Sequence, residues 1–318
     1  MSYAPKPMHI PDGFLSVPLS ILMWIIIVLV VAYALRRVGR DLDERKVPLM
    51  GVLAAAIFAG QMLNFTVIGG TSGHLMGAAL ATILLGPWAA VLVMTTVVSV
   101  QALIFQDGGL LVLGANIFNM GIIGVAVAYM AYRTIQKLAG GQKWGIFAGG
   151  FLAAWLSIEI TALAVGIELA ISGTTPANLA IPAMAGIHAL IGIGEGLITV
   201  GALAFVYAVR PDLFKSEHTQ AVKGGLVWVT GLLIALALAI ASPLASANPD
   251  GLEWVAEQQN FLYRAQGSLY NVIPDYVFPG VSNQALATIV AGIIGTLIVF
   301  GIAFFIARMR SSSSAQTH

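Results

Sequence analysis

Cysteine is absent from this sequence, and that removes two classes of chemistry at once. No disulfide framework staples the fold, and no thiolate holds a metal. Charge is scarce too: 9% of residues are Asp, Glu, Lys or Arg, against roughly 25% in soluble domains. The net charge is +1 and no basic block occurs, so nothing points to nucleic acid. The sequence has no Gly-x-x-x-x-Gly-Lys-[Ser/Thr] loop for ATP and no His-Glu-x-x-His, nor a Gly-x-Ser-x-Gly nucleophile elbow. The chain is therefore not read as an enzyme. Any metal it binds must be held by nitrogen or oxygen.

What the chain does have is apolar residues, 58% of the total. No water-soluble core hides that much apolar surface, and the runs, about 20 residues each, are long enough to span a bilayer as helices. The expected fold is an all-α polytopic membrane protein. Apolar runs and breakers predict nine crossings: Val17–Leu35, Pro48–Ile68, Gly73–Leu85, Trp88–Phe105, Leu110–Tyr132, Trp144–Ile171, Ile181–Val209, Gly224–Ala241 and Gln284–Ala307. The third is short and stops at Gly86-Pro87. With the N-terminus outside and the C-terminus in the cytoplasm, the inner loops hold Arg36, Arg37, Arg40, Arg45, Lys46, Arg133, Lys137, Lys143, Arg210, Lys215, Lys223, Arg308 and Arg310. Only Lys6 and Arg264 are left outside, as the positive-inside rule favours. The polar linker Arg210–Lys223 separates seven crossings from two crossings around an outside loop, Ser242–Asn283. The expected split is residues 1–215 and 216–318.

The most informative stretch is Met8-His9-Ile10-Pro11-Asp12-Gly13-Phe14. If the working chain begins at Met8, its free amine, the His9 amide nitrogen and the His9 ring Nδ1 can chelate one ion in a plane. Tetragonal nitrogen ligation suits Ni(II), with Co(II) also possible. The candidate fourth nitrogen is His74, within Gly69-Gly70-Thr71-Ser72-Gly73-His74-Leu75-Met76-Gly77. Residues Met1 to Pro7 contain no apolar core of a signal peptide. Because that extension turns the Met8 amine into an amide, translation is expected to start at Met8, or the extension to be removed. The competing reading makes His74 a helix cap and His9 an interfacial anchor.

A second constellation lies deeper. His188 and Glu195 are seven residues apart on one face of the seventh crossing, and ionisable groups inside a membrane are functional candidates. Glu159 and Glu168 in the sixth crossing are candidate partners. These groups allow two other readings: a proton relay in an ion-coupled secondary transporter, and an intramembrane metal-dependent hydrolase. Against both stands a purely structural role in interhelical hydrogen bonding. Asn116 and Asn119 are expected to bond across helices, and Gly73/Gly77, Gly145/Gly149 and Gly192/Gly196 to form close packing surfaces.

Several of these segments, taken in order, resemble the CbiM/NikM family, the substrate-binding (S) membrane subunits of energy-coupling-factor cobalt and nickel transporters. They are the Met8–Phe14 stretch, the glycine-rich segment ending at His74, Phe105-Gln106-Asp107-Gly108-Gly109, and Gly114-Ala115-Asn116-Ile117-Phe118-Asn119-Met120. The likeness runs to about residue 210. Pro249-Asp250-Gly251-Leu252-Glu253 resembles the PDGLE segment of the small CbiN/NikN subunit, so the chain looks like a fusion of the two. The resemblance implies a seven-helix S-component bundle plus a two-helix module in the plasma membrane. It implies Co(II) or Ni(II) as transported substrate, held by Met8, His9 and His74. It also implies partners: a transmembrane coupling (T) subunit and cytoplasmic ATPases, on which ATP is hydrolysed.

Overall fold

The computed structural model describes residues 9–41, 47–214 and 225–315. Met8 lies outside the described residues, as do Lys6, Arg45, Lys46, Lys215 and Lys223 from the charge reading. The chain is helical almost throughout: α1 (Val17–Asp41), α2 (Val47–Gln61), α3 (Ala78–Leu85), α4 (Pro87–Phe105), α5 (Leu113–Ile117), α6 (Gly124–Leu138), α7 (Lys143–Ile171), α8 (Ala177–Val209), α9 (Gly225–Ala241), α10 (Gly251–Gln258) and α11 (Gln284–Ala315). A π-helical turn, Phe118–Ile123, welds α5 to α6. Among the described residues, six helices are long and apolar enough to cross a membrane, and two apolar helices are shorter. Their outward faces are apolar, as lipid requires: Ile21, Leu22, Ile25, Val28 and Leu29 on α1 are all exposed.

Two predicted crossings end differently. The second helix stops at Gln61 rather than Ile68, and the third begins at Ala78 rather than Gly73. Between them lies an antiparallel hairpin, β1 (Phe65–Val67) with β2 (Thr71–Gly73), in register Phe65↔Gly73. Thr66, Val67 and Ile68 are β-branched, and Gly69-Gly70 takes positive φ at both positions, the geometry of a tight hairpin turn. The eight-residue α3 rises only about 12 Å and cannot span a bilayer alone. The expected break holds: Gly86 has φ 85° and Pro87 opens α4, where its missing N–H costs nothing.

Helices α7 and α8 pack closely because α8 presents glycine to aromatic rings on α7. A Cβ at Gly192 would lie 2.9 Å from Trp155, and one at Gly196 2.6 Å from Phe151. The main apolar core gathers α2, α3, α4 and α11 around Phe58, Met94 and Phe105. A second core joins the N-terminal segment through Phe14 to α7, α8 and α10. The candidate site lies at the edge of this second core.

Candidate metal centre

The segment before α1 turns at Pro11–Phe14 and is fastened by hydrogen bonds to backbone, an amide and a carboxylate. Ile10 N–H donates to Asn116 Oδ1 at 3.0 Å, and Asn116 Nδ2 donates back to the Ile10 carbonyl at 3.1 Å. Asn116 thus holds the N-terminal segment, rather than bonding from one helix to another. The Asp12 carboxylate accepts the N–H groups of Leu110 at 3.0 Å and Val112 at 3.1 Å. This fit needs glycine opposite: a Cβ on Gly109 would stand 2.1 Å from Asp12 Oδ1. Two of the sequence's three Asp-Gly pairs, Asp12-Gly13 and Asp107-Gly108, meet in one junction.

His9, buried, is aimed by this junction. Its Nε2 lies 2.9 Å from Gln101 Oε1. Because an amide oxygen only accepts, His9 carries its proton on Nε2 and its lone pair on Nδ1. Metal-ligating histidines commonly have this outer-shell arrangement. It leaves free the nitrogen that a chelate with the preceding backbone requires.

His74 follows β2, in an extended stretch before α3. The N-cap of α3 is Gly77, with φ 82°, so His74 does not cap that helix. The fully buried Glu195 carboxylate accepts Met76 N–H at 2.8 Å and Gly77 N–H at 3.1 Å, while Gln61 Nε2 donates to the Met76 carbonyl at 2.8 Å. The loop is thereby pinned on either side of the Met76–Gly77 peptide. His74 Nδ1 lies 3.2 Å from the Leu75 carbonyl, which places its lone pair on Nε2. The His9 and His74 rings stand 6.0 Å apart between centroids, tilted 74°. In a planar set, an ion about 2 Å from one nitrogen of each ring brings the centroids to roughly 4.5 Å, so the rings are neighbours that would close by about 1.5 Å to share one ion.

A cavity of about 90 Å³ opens beside the rings, lined among others by His9, His74, His188, Asn119, Thr161 and Asp250. His188 contacts the Met184 carbonyl through Nδ1 at 2.8 Å. The expected face shared by His188 and Glu195 exists, but Glu195 serves the His74 loop. Glu168 accepts from Asn119 Nδ2 at 2.8 Å, the cross-helix bond expected of Asn119. Among the described residues no three His, Cys, Asp or Glu side chains form a ligand group.

The PDGLE segment covers the same loop. Ser72 N–H donates to the Pro249 carbonyl at 2.8 Å, Ser72 Oγ donates to the Asn248 carbonyl at 2.9 Å, and Ser72 pairs in parallel with Asp250. Asp250 caps α10 by accepting Glu253 N–H at 2.7 Å. Burial pushes the Asp250 carboxyl well above the usual carboxylate range; the bonded Glu253 N–H opposes this, and the Glu253 and Asp107 charges reinforce it. Sequence reasoning missed Asp12, Gln101 and this junction. Only the repeated Asp-Gly pairs offered a signal.

Residues 9–213 match the family described as the cobalt uptake substrate-specific transmembrane region, CbiM, and residues 225–312 match the PDGLE domain. A protein of Archaeoglobus fulgidus named as a fused nickel transport protein, NikMN, is 38% identical over 95% of this chain and 98% of its own length. The fused nickel transport protein NikMN of Rhodobacter capsulatus is 32% identical over 79% of this chain and 76% of its own. A solved structure of a truncated transition metal transporter superposes with a TM-score of 0.57 at 36% identity, covering 64% of this chain and 99% of that one. A family match across most of the chain, followed by a second match to its small companion module, leads to one conclusion: this protein belongs to the CbiM cobalt and nickel transport family, with a PDGLE module fused behind it.

Proposed function

We propose that this chain is the metal-capturing subunit of an ATP-driven importer for Ni(II) or Co(II). Metal arrives from outside, binds between the chain start and the His74 loop, and is released inward when separate ATPase and coupling subunits drive the bundle. Residues 1–215 form the seven-helix capture unit, counting the short α3. Residues 216–318 form a two-helix module whose outside loop covers the site. The N-terminus lies outside and the C-terminus in the cytoplasm.

The observation that carries this reading is the pairing of two imidazoles 6.0 Å apart, with hydrogen bonds at His9 Nε2 and His74 Nδ1 that assign the lone pairs to His9 Nδ1 and His74 Nε2. Met8 completes the set with its amine, and the His9 amide adds a third nitrogen once deprotonated. All four must be unprotonated to bind, so loading releases protons.

The test is elemental analysis of the purified chain together with N-terminal sequencing. His9→Ala and His74→Ala should each abolish metal retention. Wild-type metal content in both variants overturns the reading. Uptake that continues without the ATPases, and collapses with an uncoupler, would favour the proton-relay transporter instead.

A further inference from the structure

A second and larger cavity adjoins the one beside the rings. It measures about 620 Å³ and lies between the ends of α2, α9 and α11 and the PDGLE turn. Two hydrogen bonds close its joint with the first segment. Ser246 N–H donates to the Asn64 carbonyl at 2.8 Å, and Thr66 Oγ1 donates to Ser246 Oγ at 3.2 Å. Asp250 lines both cavities, so one carboxylate residue stands at their common boundary.

The chemistry of this lining is one-sided. Asp250 and Glu253 both line the larger cavity, and both are buried, with 7% and 8% exposure. No Lys, Arg or His is among the lining residues, whose other polar groups are amides and hydroxyls able to offer oxygen. Ser242 lines the cavity at 4% exposure, and its Oγ makes no hydrogen bond; nor does the buried Oδ1 of Asn64. Buried polar atoms ordinarily have partners, so these two mark a place built for something polar. Helix capping accounts for part of the arrangement. Asp250 accepts Glu253 N–H at 2.7 Å, and acidic residues are favoured in a first turn. Those preferences set both carboxylates on one turn without neutralising either. The Glu253 charge helps drive the Asp250 carboxyl toward its protonated form, a strain that a cation relieves without a proton.

We propose that the larger cavity is a second, weaker cation site, which takes a divalent ion with its water shell on Asp250 and Glu253 and passes it by way of Asp250 to the imidazoles. The hand-over rests on the reading of His9 and His74 as ligands; the cation site itself does not. Six waters fill about 180 Å³ at roughly 30 Å³ each, so the larger cavity admits the ion with its shell intact. Carboxylate and amide oxygens accept hydrogen bonds from those waters. The inner cavity, about 90 Å³, offers imidazole nitrogen, and ligation there requires that the shell be given up. Oxygen thus collects a hydrated ion, and nitrogen selects among ions.

Two measurements on the full-length chain in detergent test this. The first uses a His9→Ala/His74→Ala variant, which lacks both ligand imidazoles. It is titrated with Mn(II), an ion that favours oxygen ligands and whose paramagnetic resonance signal falls on binding. One site should remain, with a dissociation constant on the order of 0.1–1 mM. Adding Glu253→Gln or Asp250→Asn should each weaken it at least tenfold. Circular dichroism confirms that the helices are kept; if one substitution unfolds the chain, the other carries the test. Absence of a Mn(II) site would overturn the inference. Binding of undiminished strength in a folded carboxylate variant would do the same and mark an adventitious ion only. The second measurement follows Ni(II) loading of the chain with both histidines by its visible ligand-field band. Glu253→Gln should slow loading about tenfold at low ionic strength, with the gap narrowing in salt; an unchanged rate would overturn the hand-over. His9→Ala alone is the control. If it retains nickel, the reading of the inner site falls, while the Mn(II) titration still decides the outer one.

Discussion

Glu195 offers the sharpest single test, because two readings of one residue predict opposite results. In the structure its carboxylate accepts Met76 N–H at 2.8 Å and Gly77 N–H at 3.1 Å, and it is fully buried. Glu195→Gln keeps the volume but replaces one oxygen by an NH2 group that must face a backbone N–H. A stranded buried donor costs about 1–3 kcal/mol, and the surviving bond loses its charge assistance. Taking about 2–3 kcal/mol as the cost of holding the His74 loop, the metal dissociation constant should rise roughly 30- to 150-fold. Equilibrium dialysis of the purified variant against Ni(II) or Co(II) measures this directly. In a proton relay, the same substitution would stop transport and leave metal binding by the isolated chain intact. Wild-type affinity in Glu195→Gln would therefore refute the loop-anchor argument.

Other perturbations test the rest of the site. Gly109→Ala drives a Cβ to within 2.1 Å of Asp12 Oδ1, so metal retention and thermal stability should both fall although no ligand changes; overpacking of this kind costs about 1–3 kcal/mol. The raised Asp250 carboxyl favours the protonated form in the docked loop. The PDGLE contact should thus be firmest below the unfolded value near ~3.9 and loosen as pH rises through the raised one. Trp254, which donates to the Gly69 carbonyl at 3.2 Å across that contact, reports this by fluorescence, and Asp250→Asn should keep the cap and flatten the pH response. Asn119→Ala strips Glu168 of its 2.8 Å donor and should lower stability by about 1–3 kcal/mol, read from the midpoint of a denaturant titration.

The residues of the candidate site stand out in the sequence because they are chemically conspicuous. A histidine next to a possible chain start and another after a run of glycines are rare patterns in a chain so poor in polar groups. What holds them was not legible, since the bonds span about a hundred residues of sequence: Asp12 to Leu110, Asn116 to Ile10, Gln101 to His9. Glu195 was visible as an intramembrane carboxylate. Its partners, however, are backbone amides on another element, and those carry no side-chain signature. The hairpin at Phe65–Gly73 had a readable signal, β-branched residues before Gly69-Gly70, which the surrounding apolar run concealed. The π-turn had none: Thr161 Oγ1 donates to the Asn119 carbonyl there at 3.2 Å, a bond that no periodicity encodes.

Fusion changes what the junction between the two matched segments has to supply. The helices α9 and α11 are packed against the first segment's core, whereas at the PDGLE turn the bonds run from Ser72, Thr71 and Trp254 to backbone carbonyls. Water can replace such bonds at a net cost of only about 0.5–1.5 kcal/mol each. Within one chain the partner is present at an effective concentration on the order of millimolar or more, so a shallow contact suffices to keep the loop seated. Such a contact also parts at little cost. Gly251 shows how closely the loop sits: a Cβ there would lie 2.9 Å from His188 Nε2. The PDGLE turn over the cavity is therefore close-fitting in shape and lightly bonded, the combination that the proposed capture of an ion calls for.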